Sequence, residues 1–136
     1  MVYAVKAAIA NPLATEFSLP RLKTMYEGKT IAVGDTVFVF ASESEGGLGL
    51  IAKGRVTQAR SIPLDPSLER QTPRVSVRIR RVKRARRRLG RSELKPYSDW
   101  NDGRPETELN FKFYRQATNK IVGLSEAAAA FLETCF

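Results

Sequence analysis

Histidine is missing from all 136 residues of this chain, and cysteine occurs once, as Cys135. The first absence removes the side chain most used as a general base near neutral pH and as a zinc ligand, and the second removes any internal disulfide. A Ser-His-Asp triad, a Cys-His pair and a Cys/His zinc centre are all excluded. Any enzyme built on this sequence has to work with carboxylate, Lys or Tyr chemistry. Long hydrophobic runs are lacking too: the opening MVYAVKAAIA is too short and interrupted for a membrane span, and it has neither the cationic start nor the long apolar core of a secretory signal. The expectation is a soluble, cytoplasmic protein in a reducing compartment, with no membrane partner. Repeats of solenoid length are absent, and the length suits one domain spanning 1–136.

What the chain has in excess is positive charge. Between Arg74 and Lys95 (RVSVRIRRVKRARRRLGRSELK) stand eleven Arg or Lys side chains against one acid, Glu93, and the net charge of the whole chain is +9. Charge of one sign at this density repels itself unless a polyanion relieves it, and the planar guanidinium forks onto phosphate oxygens. The run is expected to contact the backbone of a nucleic acid, DNA or RNA, through Arg78, Arg80, Arg84, Arg86, Arg87, Arg88 and Arg91. A solvated basic segment with no specific partner is the plainer alternative, and an adaptor that docks an acidic protein is another.

Acidic residues offer little catalysis. Asp99, Asp102, Glu106 and Glu108 lie among Asn101, Gly103 and Pro105 and read as a solvated loop rather than a metal site. Glu93-Leu94-Lys95 with Asp65 upstream is the one nuclease-like pattern, and it is short enough to arise by chance. The expectation is a non-enzymatic binding module with no cofactor and no metal, a metal-dependent nuclease being the competing enzyme reading.

Periodicity points to a sheet-rich fold. Val2 to Ile9 has strand composition and ends at Asn11-Pro12. Ser18-Leu19-Pro20 has the form of a helix start, Ser18 capping and Pro20 in the first turn, which predicts a helix to about Tyr26. Thr36 to Ala41 (TVFVFA) is the clearest strand, and the turn at Glu45 to Gly49 leads into Leu50 to Gln58, a hairpin. After a loop with Pro63, Pro66 and Pro73, Val75, Val77 and Ile79 alternate with Ser76, Arg78 and Arg80, giving one apolar and one cationic face. The alternation slips at Arg80-Arg81 before Val82, the mark of a bulge. An arginine-rich helix is the alternative there, against which the β-branched residues weigh. Leu109 to Tyr114 alternates like a strand, Lys120 to Leu124 has strand composition, and Ser125 caps a helix reaching about Thr134, with Phe131 and Leu132 sealing it. The fold class is α+β, mainly β: a small barrel of about six strands with short helices near each end.

The order of these segments resembles the EVE domain, a member of the PUA-like superfamily. Val33-Gly34-Asp35-Thr36-Val37-Phe38-Val39-Phe40 with Ser42 is similar to that family's Val-Gly-Asp strand entry, and Leu50 to Val56 to its next strand. Pro63-Leu64-Asp65-Pro66 with Val75-Ser76-Val77 resembles its proline-aspartate turn and following strand. Arg115-Gln116-Ala117-Thr118 and then Val122 to Glu126 resemble its C-terminal strand and helix entry. Tyr3-Ala4-Val5-Lys6-Ala7-Ala8 keeps the aromatic and the Lys of the family's first strand, with its Lys-Ser-Glu-Pro, and lacks the Ser, Glu and Pro. The Trp-then-Gly-Val-Arg-Asn segment is missing before Gly34. The resemblance implies nucleic-acid recognition, with a modified base held at the barrel mouth.

Reading a base takes an aromatic plane, a cation for the backbone and polar groups for the base edge. Trp100, Tyr3, Tyr97 and Tyr26 are the candidate planes, and Lys6 is a candidate cation beside the arginines. Tyr3, Lys6 and Trp100 make up the expected base pocket. Phe38, Phe40, Phe111 and Phe131 are assigned to the core.

Overall fold

The structure, a computed structural model, describes residues 1–115 and 119–136. Six strands close a barrel: β1 (Val2–Ala7), β2 (Glu16–Met25), β3 (Thr36–Ala41), β4 (Gly49–Ser61), β5 (Arg74–Arg84) and β6 (Lys120–Gly123). Around the barrel they run β1, β3, β4, β5, β2, β6 and back to β1. β1 lies parallel to β3 and β6 parallel to β2, and the other pairings are antiparallel. Three helices complete the chain, α1 (Arg91–Leu94), α2 (Pro105–Tyr114) and α3 (Glu126–Glu133).

Side chains alternate across each strand, and the sequence decides which of the two faces is buried. In TVFVFA, Val37 and Val39 point into the barrel with Tyr3, Val5, Val56, Val77 and Ile79. Phe38 and Phe40 point out of it. They are buried nonetheless, because α2 and α3 cover that face with Leu109, Phe113, Ala128 and Leu132. β1, β3 and β6 are therefore buried on both faces, with Lys6 and Lys120 the charged residues among them, while β5 is buried only inward. The helical layer sits on one side of the barrel, and the outer face of β4, β5 and the start of β2 is left to solvent.

Two expected elements are corrected. Ser18 to Tyr26 is not a helix but most of β2, because Phe17, Leu19, Leu22 and Thr24 are buried at strand spacing. Pro20 is accommodated where the register slips between Leu19 and Leu22, so its missing N–H leaves no gap in the ladder. Leu109 to Tyr114 is not a strand but the body of α2. Leu109 and Phe113, four residues apart, are both buried on its inner face, and Pro105 stands in its first turn, where no N–H is needed. The strands Thr36–Ala41 and Lys120–Gly123 and the hairpin of β3 with β4 stand as expected. The bulge in the basic strand is present too: Lys53 faces Lys83 and Gly54 faces Arg81, which leaves Val82 as the extra residue. Ser125 caps α3 by accepting from the Ala128 N–H at 3.1 Å.

Phe40 and Phe113 meet with ring centroids 4.8 Å apart at the seam between barrel and helices. Phe40→Ala removes that seam and is expected to cost about 3–5 kcal/mol, or roughly 10–15 °C in thermal midpoint for a domain of this size. Differential scanning calorimetry measures it. A midpoint within 2 °C of wild type would show that the seam does not hold the helical layer.

Candidate nucleic-acid interface

The solvent face of β4 and β5 carries the basic run in register. Arg55 of β4 stands opposite Arg80 of β5, and Lys53 stands opposite Lys83. Like charges directly across an antiparallel pair are unfavourable; Lys53 is relieved by Glu133 of α3 at 2.5 Å, while Arg55, Arg80 and Lys83 make no ion pair among the described residues. Beside them, Ser18, Arg78 and Gln58 form one row across β2, β5 and β4. That row borders a groove of about 500 Å³ that Arg60, Ser76 and Pro20 also line. Four ion pairs form among the described residues, and only Arg78 (to Glu16, 3.3 Å) and Arg88 (to Glu93, 3.9 Å) of the expected arginines take part.

The arginines expected at the backbone divide into two groups. Arg78 and Arg80 lie exposed on the outer strand face, whereas Arg84, beyond the bulge and opposite the inward-facing Ala52, is exposed on the other side at the end of β5. Arg86, Arg87, Arg88 and Arg91 follow the end of β5 and run past the C-terminal end of α3, exposed as well. Arg87 has a structural task there: its guanidinium donates to the Thr134 carbonyl at 3.0 Å, while the Arg86 and Arg87 N–H groups donate to the Cys135 carbonyl. A cation at a helix C-terminus is favoured by the helix dipole. Arg91 donates its N–H to Glu43, and its guanidinium lies 5.8 Å from the Tyr114 ring. Arg55, Arg60 and Gln58 escaped the sequence reading, although the alternation of Ala52 and Val56 with Lys53 and Arg55 was the signal that could have found them.

The expected pocket of Tyr3, Lys6 and Trp100 does not assemble. Tyr3 and Lys6 are three residues apart on one strand and so point to opposite faces. Tyr3 is 2% exposed inside the barrel. Its hydroxyl donates to Thr30 Oγ1 at 2.6 Å, since the Thr30 proton goes to the Glu27 carbonyl. Lys6 is 3% exposed and lies under α2, its Nζ donating to the Phe113 carbonyl at 2.8 Å and resting 4.7 Å from the centre of the Tyr114 ring. It ties the end of α2 to the barrel. Burial pushes its pKa below the usual lysine value, a shift that nearby Glu43 opposes. Tyr97 is half-buried and offers its carbonyl to Asn110.

Trp100, 46% exposed, belongs to a different group. It packs edge-on against Phe111 at 5.3 Å, and Phe111 in turn meets Tyr26 at 6.4 Å. Phe111 is thus not a core residue, as expected from sequence, but the half-buried centre of an aromatic corner. Cations frame it: Arg115 lies 4.8 Å over Phe111, and Lys112 lies 5.0 Å over Tyr26. Tyr26 and Glu27 both have positive φ (49° and 68°), a strained turn that the bond from the Gly123 N–H to the Tyr26 carbonyl helps to hold. Glu108 sits behind the corner. Burial works to raise its pKa, but hydrogen bonds from Ser125 and Lys112 outweigh that and hold the carboxyl below its usual value. The acids near Trp100 serve the loop and helix: Asp102 accepts from Arg104 N and Thr107 Oγ1, and Asp99 from Asn101 N. Asp65 accepts from Ser67 and Glu93 from Gly90 N, and no hydrogen bond or ion pair joins Asp65, Glu93 and Lys95. Of the segment Arg115 to Thr118 that resembled the family's C-terminal strand, 116–118 lie outside the described residues.

Between β1 and β2, β6 places Lys120 opposite both Lys6 and Lys23. Directly paired residues share a face, so three lysines form a row on the outer wall beneath α2. Lys120 is 1% exposed, and burial, with the charges of Lys6 and Lys23, brings its pKa down to about 8.

The barrel has known counterparts. It matches the DUF55 domain of human thymocyte nuclear protein 1 with a TM-score of 0.65 at 14% identity, over 98% of this chain and 97% of that one. A structure of human THYN1 protein in complex with DNA containing 5-methylcytosine gives 0.63 at 15%, over 98% and 96%. A hypothetical protein from Leishmania major gives 0.62 at 15%, over 98% and 92%. No family model matches the chain, and the comparison with curated proteins finds no match. The small closed barrel of six strands expected from the sequence is the fold observed, and it is the fold shared with these structures.

The depressed pKa of Lys120 has a consequence for stability. Below about pH 8 it is protonated in both the folded and unfolded chain, and the folded state bears the full penalty of the buried charge. Between about 8 and the unfolded value of 10.5 the folded chain releases its proton first, so stability rises with pH in that window. Lys120→Met is expected to remove this rise. Urea unfolding of both proteins at pH 7.5, 8.5 and 9.5 measures it, and parallel pH curves would show that Lys120 titrates normally.

Proposed function

We propose that this chain is a non-catalytic nucleic-acid-binding module whose β4–β5 face holds the phosphate backbone and whose aromatic corner receives a base. The observation that carries the reading is the register of Arg55 against Arg80, with Lys83 two positions along the same face, three cations without an ion pair among the described residues that an anionic backbone would relieve, Lys53 opposite Lys83 being held by Glu133. The aromatic corner supports the second half, because Trp100 and Phe111 offer partly exposed rings flanked by cations. The fold shared with a protein solved on DNA that contains 5-methylcytosine supports recognition of a modified base. An adaptor for an acidic protein would use the same cations and would have no use for the rings.

Two measurements separate these roles. Engagement of roughly four to six phosphates gives a log–log salt slope of about −3 to −5, and replacing Arg80 and Lys83 together with Gln makes it shallower by about 1.5. These two are chosen because they hold no helix end. Trp100→Ala is expected to weaken a preferred oligonucleotide by about five- to more than a hundredfold and to leave the slope unchanged. Filter binding against single- and double-stranded DNA and RNA, with and without base methylation, reads both. Equal competition by a polyanion without bases would refute base reading, and an unchanged slope in the Arg80 and Lys83 double variant would refute the proposed backbone face.

A further inference from the structure

The aromatic corner has a second side, toward the start of α2. A cavity of about 220 Å³ opens there between Trp100 and Gly103 of the preceding loop and Arg104, Thr107, Phe111 and Lys112 of the helix and its cap. Trp100 and Phe111 meet edge to face at 70°, so they bound it with an open apolar corner rather than a closed stack. Most of the polar groups around it are committed. Thr107 donates its hydroxyl to Asp102, Lys112 donates to Glu108 and to the Gly123 carbonyl, and Glu108 accepts from Ser125 as well. Arg104 differs: it is exposed and its guanidinium makes no ion pair among the described residues. Asp102 feels its charge, but the two Asp102 oxygens accept from the Arg104 N–H and the Thr107 hydroxyl.

Arg104 also stands where a helix gains nothing from it. It is the N-cap of α2, a position that Ser, Thr, Asp and Asn serve by accepting an N–H, and its side chain caps nothing. A cation there also opposes the positive end of the helix dipole. Its side chain thus works against its own helix, and the one cavity it borders is the aromatic one. Resting on the reading that the corner receives a base, we propose that Arg104 selects guanine there, its guanidinium forking onto O6 and N7 while the purine covers Trp100 and Phe111. The chemistry of the rim decides the base. The fork offers donors only, and guanine presents two acceptors side by side on the edge away from pairing, where adenine sets its N6 donor beside N7, thymine offers O4 alone and cytosine offers a donor. Cytosine has two adjacent acceptors on its pairing edge, N3 and O2, but its single ring covers less of a corner built from two aromatic residues. Any modification of the bound guanine has to leave O6 and N7 bare.

Fluorescence anisotropy tests it with short thymidine oligonucleotides that carry one central guanine, inosine, 7-deazaguanine, adenine or cytosine. All of them share the same backbone, so the contribution of the β4–β5 face cancels. The guanine strand is expected to bind about five- to more than a hundredfold tighter than the adenine and cytosine strands. Inosine keeps O6 and N7 and loses only the N2 amine, so it should bind within about twofold of guanine, whereas 7-deazaguanine, which loses N7, should fall most of the way to adenine. Arg104→Ser should erase the preference while affinity for the adenine strand changes by less than about threefold, since one exposed charge is lost. Its thermal midpoint should equal or exceed that of wild type, because the hydroxyl caps α2. Selectivity lost with stability kept cannot be imitated by misfolding. Trp100→Ala separates this proposal from the reading it rests on. If that variant weakens every strand while Arg104→Ser keeps the guanine preference, the corner takes a base and the fork is refuted; if it weakens none, the corner reading falls and the proposal with it. Equal affinity for guanine and adenine in wild type, or a preference for cytosine, likewise overturns the proposal.

Discussion

The burial of both faces of β1 and β3 is the constraint from which the rest of the molecule follows. VYAVKA and TVFVFA have no polar face to offer water beyond Lys6, so a second apolar layer has to cover them from outside. α2 and α3 supply it through Leu109, Phe113, Ala128 and Leu132. Because they cover only that side of the barrel, the outer wall of β4 and β5 remains in water, and there the sequence changes from apolar on both faces to apolar inward and arginine outward. The basic surface is where it is because the helices are elsewhere.

Lys6 shows how the same constraint handles a charge inside the seam. A lysine at an outward position of β1 cannot reach solvent beneath α2, so its ammonium takes the carbonyl of Phe113 at the end of that helix and the face of Tyr114. The helix dipole favours a cation there, and the bond fixes where α2 ends. That in turn sets the positions of Phe111 and Arg115, and with them the aromatic corner. A residue that reads as a ligand contact in the sequence thereby positions the site from behind.

How far the sequence discloses all this depends on whether local pattern and tertiary environment agree. TVFVFA, the alternation after Arg74 and the capped helix after Ser125 are legible because each pattern has one solution. Ser18-Leu19-Pro20 misleads, since a proline in a bulged strand and a proline in a first helical turn look alike over three residues. LNFKFY misleads because Leu109 and Phe113 satisfy both a spacing of two and a spacing of four. The pocket was misjudged on a point the strand reading already contained: Tyr3 and Lys6, an odd number of positions apart, cannot share a face. Trp100 and Tyr26 were recognisable as accessible rings, but Phe111, which joins them, becomes visible only once 105–114 is a helix.

β2 connects the two surfaces and sets the scale of any ligand that touches both. From Ser18, beside Arg78, to Tyr26, at the aromatic corner, the strand covers about 25 Å at roughly 3.3 Å per residue. Stacked nucleotides on one strand advance about 3.4 Å each, so that distance corresponds to roughly seven of them. The wall between is not neutral. Arg21, Lys23, Arg70 and Arg74 line an opening of about 380 Å³ beside the loop that joins β4 to β5, with Asp65 the acid among them, so cations outnumber acids from the arginine face toward the corner. The bulge at Pro20-Arg21 contributes directly to this: Arg21, with φ of 56°, turns its carbonyl to Arg74 and takes Ser76 Oγ on its N–H, which locks two strands together where the register slips. The irregularity that disguised β2 as a helix is thus also what holds the positive track in place between the two surfaces.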